Sequence, residues 1–569
     1  MKFRSFVLIL ASIVTVLLLV AAAIAFWLAS QSPLAVLRGG TVAAPAAAMF
    51  VSRQAPLMTS LLVNPDRLEA LRLALAPTNQ RRQARTEFAQ LKQTLLGDRG
   101  LNYETDIQPW LGDEITWAVT TPDIDRDETN GRQPGYLLAV ATRNPEQARE
   151  FLQLFWQKRA IAGNDLVFEQ YAGVKIIYGN APPRASAPTD APATALASAV
   201  VGDRFVLFAN APKVLREAIN NVQTTDLSLS NSPSYQAALA ELPDRQIGLT
   251  FVNLPQFARW VGQGEPTGDQ PPFDSLVMGW QLKRQGILAD ATLLTAAGHT
   301  LQPTQPSQTN PVAALQYIPS GALVSASGTD LKHLWSELED SLSGYGTLSA
   351  LLNQPLQTLE QRWQVKFSED LVNWVEGEFA LALVPNPNTQ QSDWVFVAEK
   401  SAATPAALAN LDAIAQKQGL SIGPVTLGEQ QAFAWTKLST RAPSRRDRKQ
   451  KTATTLQAQV QAVHTTVGNY ELFARSVEAL DLALKAQEEP LVNTPDFQQA
   501  IAPLNKNNDG YLYLDWRSVW PTLEAKLPVL RLLELTAKPL FDHGRSLTIT
   551  SYGSTTNLRR GAIFLRLQN

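Results

Sequence analysis

The chain contains no cysteine among its 569 residues. Disulfide bonds, thiolate metal sites and a cysteine nucleophile are therefore excluded. A lipoprotein anchor is excluded too, because no cysteine follows the first apolar segment. The absence does not identify the compartment, since exported proteins also do without cysteine.

Excess charge of one sign and histidine are also scarce. The chain has 49 basic and 51 acidic residues, for a formal net charge of −2. A nucleic-acid-binding protein would need a strongly basic face, so that class is not expected. The four histidines lack the spacing of metal ligands, and no phosphate loop, nucleophile elbow or dinucleotide fingerprint is present. The sequence predicts no catalytic residue, no metal site and no cofactor.

A long uncharged run occurs once, near the N-terminus. Lys2 and Arg4 precede residues 5–29, which carry no charge. About 20 apolar residues in a helix cross the hydrocarbon core, so residues 1–30 are predicted to form a transmembrane anchor. A cleaved signal peptide with its small-residue site at 23–25 is the alternative. In both cases the basic residues place the rest of the chain on the far side of the membrane.

The remainder of the chain contains one pattern written twice. Asp106, Trp110 and Glu114 recur 264 residues later (370 minus 106) as Asp370, Trp374 and Glu378. Three further matches follow in the same order and at similar offsets: Val201–Asp203 with Val467–Asn469, Asn231–Gln236 with Asn493–Gln498, and Gly248–Asn253 with Gly510–Asp515. Collinear matches of this kind predict an internal duplication.

The duplication predicts the domain organisation. The expected order is an anchor at 1–30, a tether at 31–48, a first unit at 49–299, a linker at 300–311 and a second unit at 312–569. Each unit alternates strand-like and helix-like segments, and several helices begin with proline, which is tolerated there. The expected fold class is α+β, with two tandem units that each have a mainly antiparallel sheet and packed helices.

The repeated Asp-Trp-Glu set is the most tempting candidate for chemistry, because paired carboxylates are used in acid–base catalysis. We interpret it instead as structural. Asp106 and Asp370 are typical of helix caps or turns, and each tryptophan follows four residues later, on the same face.

Two loops have alternative interpretations. Acids alternate over residues 123–131 as in a calcium loop, but Glu128 stands where that loop needs glycine, so a solvated hairpin loop is favoured. Residues 441–451 carry a basic run that could contact an anionic lipid surface or an acidic partner, although charge runs are usually only solvated.

An apolar stripe over residues 516–541 is the candidate apolar surface. It includes Trp516, Trp520, Leu523 and Leu527. Such a stripe could line a groove for a lipid or pigment, or lie on a membrane interface. Packing against a sheet is the ordinary alternative.

The layout resembles a family of uncharacterised membrane-anchored proteins, the domain of unknown function numbered 3352, found mostly in cyanobacteria. The resemblance is carried by the basic N-terminus with one apolar helix and by residues 106–112, 201–203 and 232–235. It implies a location and an architecture, but no catalytic residues.

These observations leave three functions open. The first is a non-enzymatic binding or assembly protein, tethered to the bilayer and facing the periplasm or thylakoid lumen, with a protein partner. The second is a carrier of a lipid, pigment or other apolar ligand. The third is an enzyme with an unfamiliar site, which would need clustered acids in a cleft.

Overall fold

The computed structural model describes twelve segments of the chain. They are residues 44–66, 101–127, 131–180, 196–242, 246–260, 271–283, 285–342, 366–386, 388–389, 392–441, 455–520 and 544–567. The predicted anchor and most of the predicted tether therefore lie outside the described residues.

The described strands all belong to one antiparallel sheet of 20 strands. We call β1–β10 the first half and β11–β20 the second half. The first half contains β1 (Leu57–Leu61), β2 (Leu111–Thr121), β3 (Gly135–Thr142), β4 (Asp165–Tyr171), β5 (Val174–Asn180), β6 (Ala197–Val201), β7 (Phe205–Ala209), β8 (Gly248–Asn253), β9 (Phe273–Lys283) and β10 (Gly286–Thr295).

The second half contains the ten corresponding strands. They are β11 (Val324–Gly328), β12 (Phe379–Pro385), β13 (Ser392–Glu399), β14 (Leu420–Leu427), β15 (Gln430–Arg441), β16 (Thr455–Val467), β17 (Tyr470–Ala474), β18 (Tyr511–Asp515), β19 (Gly544–Ser554) and β20 (Leu558–Leu567).

The strand order is the same in both halves, read from opposite ends. The pairings give β4-β5-β6-β7-β3-β2-β1-β8-β9-β10 and then β20-β19-β18-β11-β12-β13-β17-β16-β15-β14. Each strand of the first half thus corresponds to the strand numbered ten higher. The two halves meet where β10 pairs with β20, from Gly286↔Arg566 to Leu294↔Leu558.

This join corrects the predicted fold class. Two tandem α+β units with a sheet each were expected, but the structure has one large antiparallel sheet that runs through both halves. β10 and β20 each present an edge, and pairing them satisfies backbone groups that two separate sheets would leave open. The predicted transmembrane helix falls within residues 1–43, outside the description, and no described helix is long and apolar enough to cross a membrane.

Helices lie on both faces of the sheet. They are α1 (Pro145–Ile161), α2 (Pro212–Gln223), α3 (Pro233–Ala240), α4 (Leu254–Trp260), α5 (Leu331–Leu342), α6 (Thr404–Lys417), α7 (Val477–Lys485) and α8 (Pro495–Ile501). Short 3₁₀ helices span Ala46–Phe50, Thr225–Leu227, Leu229–Asn231, Ala313–Tyr317, Ala486–Glu488 and Leu491–Asn493, and single π turns span Tyr103–Ile107 and Phe367–Val372.

Alternation along the strands divides the core between two faces. In β3, Leu137 and Ala139 pack with α2 and the 3₁₀ helix at 46–50, and we call this side face A. Their neighbour Val140 packs with Phe151 and Leu152 of α1 on the opposite side, face B. Successive side chains of a strand point to opposite faces, so both faces of the sheet are used for packing. The second half repeats this arrangement, with α7 on face A and α6 on face B.

Candidate functional site: an open apolar face in the second half

The centre of each half is built on the same pairing register. In the first half, Leu57 of β1 pairs with Val119 of β2 and with Val252 of β8. In the second half, Val324 of β11 pairs with Leu383 of β12 and Leu514 of β18. These pairings define which residues correspond, and they allow face B to be compared position by position.

In the first half this part of face B is closed. Val119 is 0% exposed, Thr250 is 1% exposed and Met278 is 2% exposed. Two threonine hydroxyl groups belong to this buried layer and form hydrogen bonds within it. The Thr59 and Thr250 Oγ1 atoms lie 3.0 Å apart, and Trp280 Nε1 donates to Thr250 Oγ1 at 3.1 Å. A buried network with its partners in place belongs to a core.

In the second half the corresponding positions are apolar and exposed. Leu381 is 40% exposed, Leu383 42%, Leu512 37% and Ile549 36%. Leu383 replaces Val119, Leu512 replaces Thr250 and Ile549 replaces Met278 in the matched register. We call these four residues the open apolar face.

Neighbouring side chains extend the open apolar face. Val324 and Leu514, and Leu547 beside Ile549, lie on the same face B and are half-buried. Single exposed leucines are ordinary on protein surfaces, whereas a contiguous exposed apolar area is typical of interaction surfaces. The set spans four adjacent strands, β12, β11, β18 and β19.

The sequence did not identify this face. Residues 379–384 read as an unbroken apolar run, which is typical of a strand buried on both faces. Only comparison with the first half shows the difference, because threonines at 59 and 250 became Ala326 and Leu512. The available signal was this loss of hydroxyl residues between matched positions.

The structure describes only part of the apolar surface predicted over residues 516–541, namely residues 516–520. Trp516 and Trp520 are half-buried and their rings stack with centroids 5.2 Å apart. Gly544, at the start of β19, packs against the Trp516 ring, where a Cβ atom would clash. Leu523 and Leu527 lie outside the described residues.

The repeated aspartates and tryptophans form the same local contacts in both halves. Asp106 Oδ2 accepts the Asn102 N–H at 2.8 Å, and Trp110 Nε1 donates to the Asp106 carbonyl oxygen at 2.7 Å. Asp370 Oδ2 accepts the Lys366 N–H at 2.8 Å, and Trp374 Nε1 donates to the Asp370 carbonyl at 3.1 Å. Both tryptophans are buried among aromatic rings.

The repeated glutamates bind the segments that lead into each half. Glu114 accepts the Ala46 and Ala47 N–H groups at 3.0 and 2.8 Å, at the start of a 3₁₀ helix. Glu378 accepts the Ala314 N–H at 3.1 Å and the Tyr470 hydroxyl at 2.8 Å. Burial raises the pKa of the Glu114 carboxyl, and its backbone hydrogen bonds oppose that shift. These carboxylates are engaged in holding the chain and do not face a cleft together.

A buried histidine in the second half has no counterpart in the first. His464 Nδ1 lies 2.8 Å from Glu471 Oε1, and the Thr466 hydroxyl donates to Glu471 Oε2 at 2.6 Å. The rings of Phe433, Trp435 and Phe473 surround the imidazole. In the first half the corresponding position is Ser198, whose hydroxyl accepts from Trp156 Nε1 at 2.8 Å.

The acidic loop at 123–131 is held by ordinary loop contacts where it is described. Asp123 Oδ1 accepts the Gln133 N–H at 3.1 Å, and Lys213 Nζ donates to the Ile124 carbonyl. Glu128 and the two residues after it are outside the description. Among the described residues, no group of three or more histidines and acids could hold a metal ion.

A polar cleft of about 310 Å³ lies near the join of the halves. Its lining includes Asp330, His333 and Glu337 from α5 and its approach, and Asp509 opposite. Arg559 of β20 lies 3.0 Å from Glu337 in an ion pair, so this acid serves to hold α5 against the sheet. Leu334 contributes an apolar side chain to the lining, and the other lining residues have polar side chains.

Comparisons with known proteins give few likenesses. No curated protein matches the chain. Three crystal forms of TP0453 are similar in part: form I at 8% identity and a TM-score of 0.24, form IV at 10% and 0.23, and form III at 10% and 0.25. These likenesses cover 44–45% of this chain and 80–82% of TP0453. A family model matches residues 10–567, so the chain belongs to the family described as protein of unknown function (DUF3352).

Proposed function

We propose that this protein is a non-enzymatic binding or assembly protein that docks another protein on the open apolar face. The observation that supports this most is the exposure of Leu383, Leu512 and Ile549, because the first half buries the matched residues Val119, Thr250 and Met278. The fold does not require that exposure, because the same register is closed in the other half.

The shape of the surface favours a protein partner over a small ligand. A small apolar ligand is usually held in a concave pocket that buries most of its surface. The open apolar face is instead the surface of a sheet four strands across, or about 15 Å at 4.8 Å per strand. An apolar helix or sheet face of a partner covers such a surface directly.

The location is part of the proposal. The charge and hydropathy of residues 1–30 support a location of the bulk of the chain on the far side of a membrane, in the periplasm or the thylakoid lumen. A partner at the open apolar face would then be an extracytoplasmic or membrane protein.

The experiment is photo-crosslinking in the native membrane. A photoreactive phenylalanine analogue replaces Leu512 or Leu383, and a matched control replaces Glu429, an exposed residue of a turn in the same half. We expect a discrete protein adduct from both face positions and none from the control. The same adduct should disappear when Leu381→Arg is added, with the thermal unfolding temperature unchanged.

The alternative outcomes are distinct. Adducts of lipid or pigment mass from the face positions, together with the same mass bound in native mass spectrometry, would support the carrier function and contradict the assembly function. Equal labelling of Leu512, Leu383 and Glu429 positions would contradict both.

A further inference from the structure

The sheet ends in two edge strands, β4 in the first half and β14 in the second. Within the described residues, β4 pairs only with β5 and β14 only with β15. An edge strand presents unpaired N–H and C=O groups that can template another strand, and proteins usually protect such edges. The two edges of this sheet differ in that protection.

The backbone groups that face outward from β4 follow from its hairpin. Ala172 and Gly173 form a two-residue turn with φ of 49° and 83°, which is typical of a type I′ turn. The flanking residues Tyr171 and Val174 are therefore a hydrogen-bonded pair. Because hydrogen-bonded pairs alternate along an antiparallel ladder, the N–H and C=O groups of Leu166, Phe168 and Gln170 point away from β5.

The same reasoning applied to β14 shows a blocked edge. The two-residue turn Gly428–Glu429 makes Leu427 and Gln430 the hydrogen-bonded pair, so Pro424 faces outward. Pro424 has no N–H to offer, and at this position it costs no bond to β15. It is therefore placed where it stops another strand from pairing.

Pro424 occupies the position that Phe168 has in the first half. Phe168 pairs with Ile177, which pairs with Ser198, whereas Pro424 pairs with Phe433, which pairs with His464. One edge thus has a proline, and at the matched residue the other has an N–H that pairs with no strand of the described residues.

Apolar side chains surround the open edge. Phe168 is 59% exposed, and Leu154 and Ile161 of the adjacent helix α1 are 50% and 87% exposed. The matching helix α6 exposes no leucine or isoleucine. Phe433 and Leu438 of β15, one strand in from β14, are also 43% and 48% exposed. The difference therefore lies in the edge strand and its helix: β4 and α1 expose large apolar side chains, whereas β14 exposes no leucine, isoleucine or phenylalanine.

We propose that β4 pairs with β4 of a second copy of this chain, antiparallel across a two-fold axis at Phe168. Outward-facing residues then meet one another: Phe168 opposite Phe168, and Leu166 opposite Gln170 on both sides. This register gives about six backbone hydrogen bonds, two for each of three such pairs. Asp165 comes opposite Tyr171 and Glu169 opposite Val167, so no two carboxylates face each other directly.

The molecule already contains a junction of this kind. β10 and β20 are matched strands of the two halves, and they pair antiparallel at the centre of the sheet. The second copy would repeat that join at the outer edge. An isologous contact closes on itself, and Pro424 at both remaining edges prevents further growth, so the assembly ends at two copies. This inference uses a surface separate from the open apolar face and does not depend on its function.

The first test is the mass of the full chain in mild detergent by sedimentation velocity. We expect a species of twice the chain's 62.2 kDa that dissociates on dilution. Phe168→Pro places at β4 the block found at β14. It should weaken the dimer about thirtyfold, since two hydrogen bonds of about 1 kcal/mol each are lost. Conversely, Pro424→Phe opens the second edge and should give species larger than two copies.

The second test uses the absence of cysteine from the chain, so that any introduced thiol is unique. Opposed Cα atoms in a hydrogen-bonded pair lie about 5.5 Å apart, within the range a disulfide spans. Phe168→Cys should therefore form a disulfide-linked dimer on mild oxidation. Leu166→Cys is the matched control and should not, because the two copies of residue 166 are four residues apart in this register, roughly 13 Å.

The outcomes that would overturn the proposal are specific. The first is a monomeric wild-type chain together with a Phe168→Cys variant that forms no disulfide-linked dimer. The second is a dimer whose dissociation is unchanged by Phe168→Pro. The third is equal cross-linking through Leu166→Cys and Phe168→Cys. If Phe168→Pro lowers the unfolding temperature, the paired cysteine variants decide the question alone.

Discussion

The two halves of the sheet share strand order and register but differ in how far the side chains on face B are exposed. In the first half Val119, Thr250 and Met278 are buried beside the Thr59–Thr250 hydroxyl pair, and the second half has exposed leucine and isoleucine at these three matched positions. A duplicated fold normally keeps its core positions closed in both copies. The shared register shows that the fold itself does not force these positions to be exposed.

The largest expected effect comes from placing a charge at matched positions. Val119→Arg buries an unpaired charge in the first half and should lower the free energy of unfolding by more than about 4 kcal/mol. Leu383→Arg places the same group at an exposed position and should change it by less than about 1 kcal/mol. Urea denaturation of both variants checks the comparison, and equal effects would show that the second face is closed in solution.

A second effect concerns the histidine that only the second half contains. Glu471→Val introduces the residue found at the matched position, Val206, and leaves the His464 N–H and the Thr466 hydroxyl without their acceptor. The expected loss is about 1–3 kcal/mol in the free energy of unfolding, the usual cost of an unsatisfied buried group. The control Glu471→Gln keeps an acceptor and should lose less. If Glu471→Val leaves the free energy of unfolding unchanged, the His464–Glu471 pair adds nothing to stability.

A third effect compares the glutamates that hold the 3₁₀ helices. Glu114→Ala removes the acceptor of two backbone N–H groups and should cost about 1–2 kcal/mol, whereas Glu378→Ala removes one backbone contact and a tyrosine contact. The hydrogen-exchange rate of the Ala47 amide should rise only in Glu114→Ala, and that of the Ala314 amide only in Glu378→Ala. Exchange that rises at both sites in either variant would contradict local roles.

The smallest effect is on pH dependence. Burial raises the pKa of Glu114 above its ordinary value of 4.5, so the folded protein binds this proton more tightly than the unfolded chain does. The contribution of Glu114 to stability is therefore present below pH 4.5 and falls as the pH rises through the folded pKa. The difference in unfolding free energy between wild type and Glu114→Gln should shrink over that interval. A difference that grows with pH would show that the pKa of Glu114 is lowered in the folded protein, which contradicts the prediction.

Local patterns predicted the elements well and their assembly poorly. The sequence predicts a helix over 477–485 and a strand over 379–384. Helix α7 has the predicted bounds, and β12 is one residue longer than predicted. Alternation and proline positions are local signals, so these elements are readable. The pairing of β10 with β20 joins residues more than 260 positions apart, and no local signal specifies it. Two sheets were expected for that reason.

The candidate site was less predictable than the fold. The run around Leu381 and Leu383 predicts burial on both faces, because hydropathy does not report what covers a strand. Trp516 and Trp520 were anticipated as a surface, yet Trp516 packs on Gly544. The role of Pro424 depends on which way its missing N–H points, and that needs the register of the β14–β15 hairpin.

The join between β10 and β20 also has a consequence for folding during synthesis, because β10 cannot complete its pairing until β20 has been made. The paired residues are separated by 264 to 280 positions in sequence (558 minus 294, and 566 minus 286). At 5–20 residues per second of synthesis, β10 waits roughly 15–55 s for its partner strand to be made. During that time the first half carries an unpaired inner edge as well as its outer one. A chaperone that shields nascent strand edges would thus matter most for β10, before the second half has been synthesised.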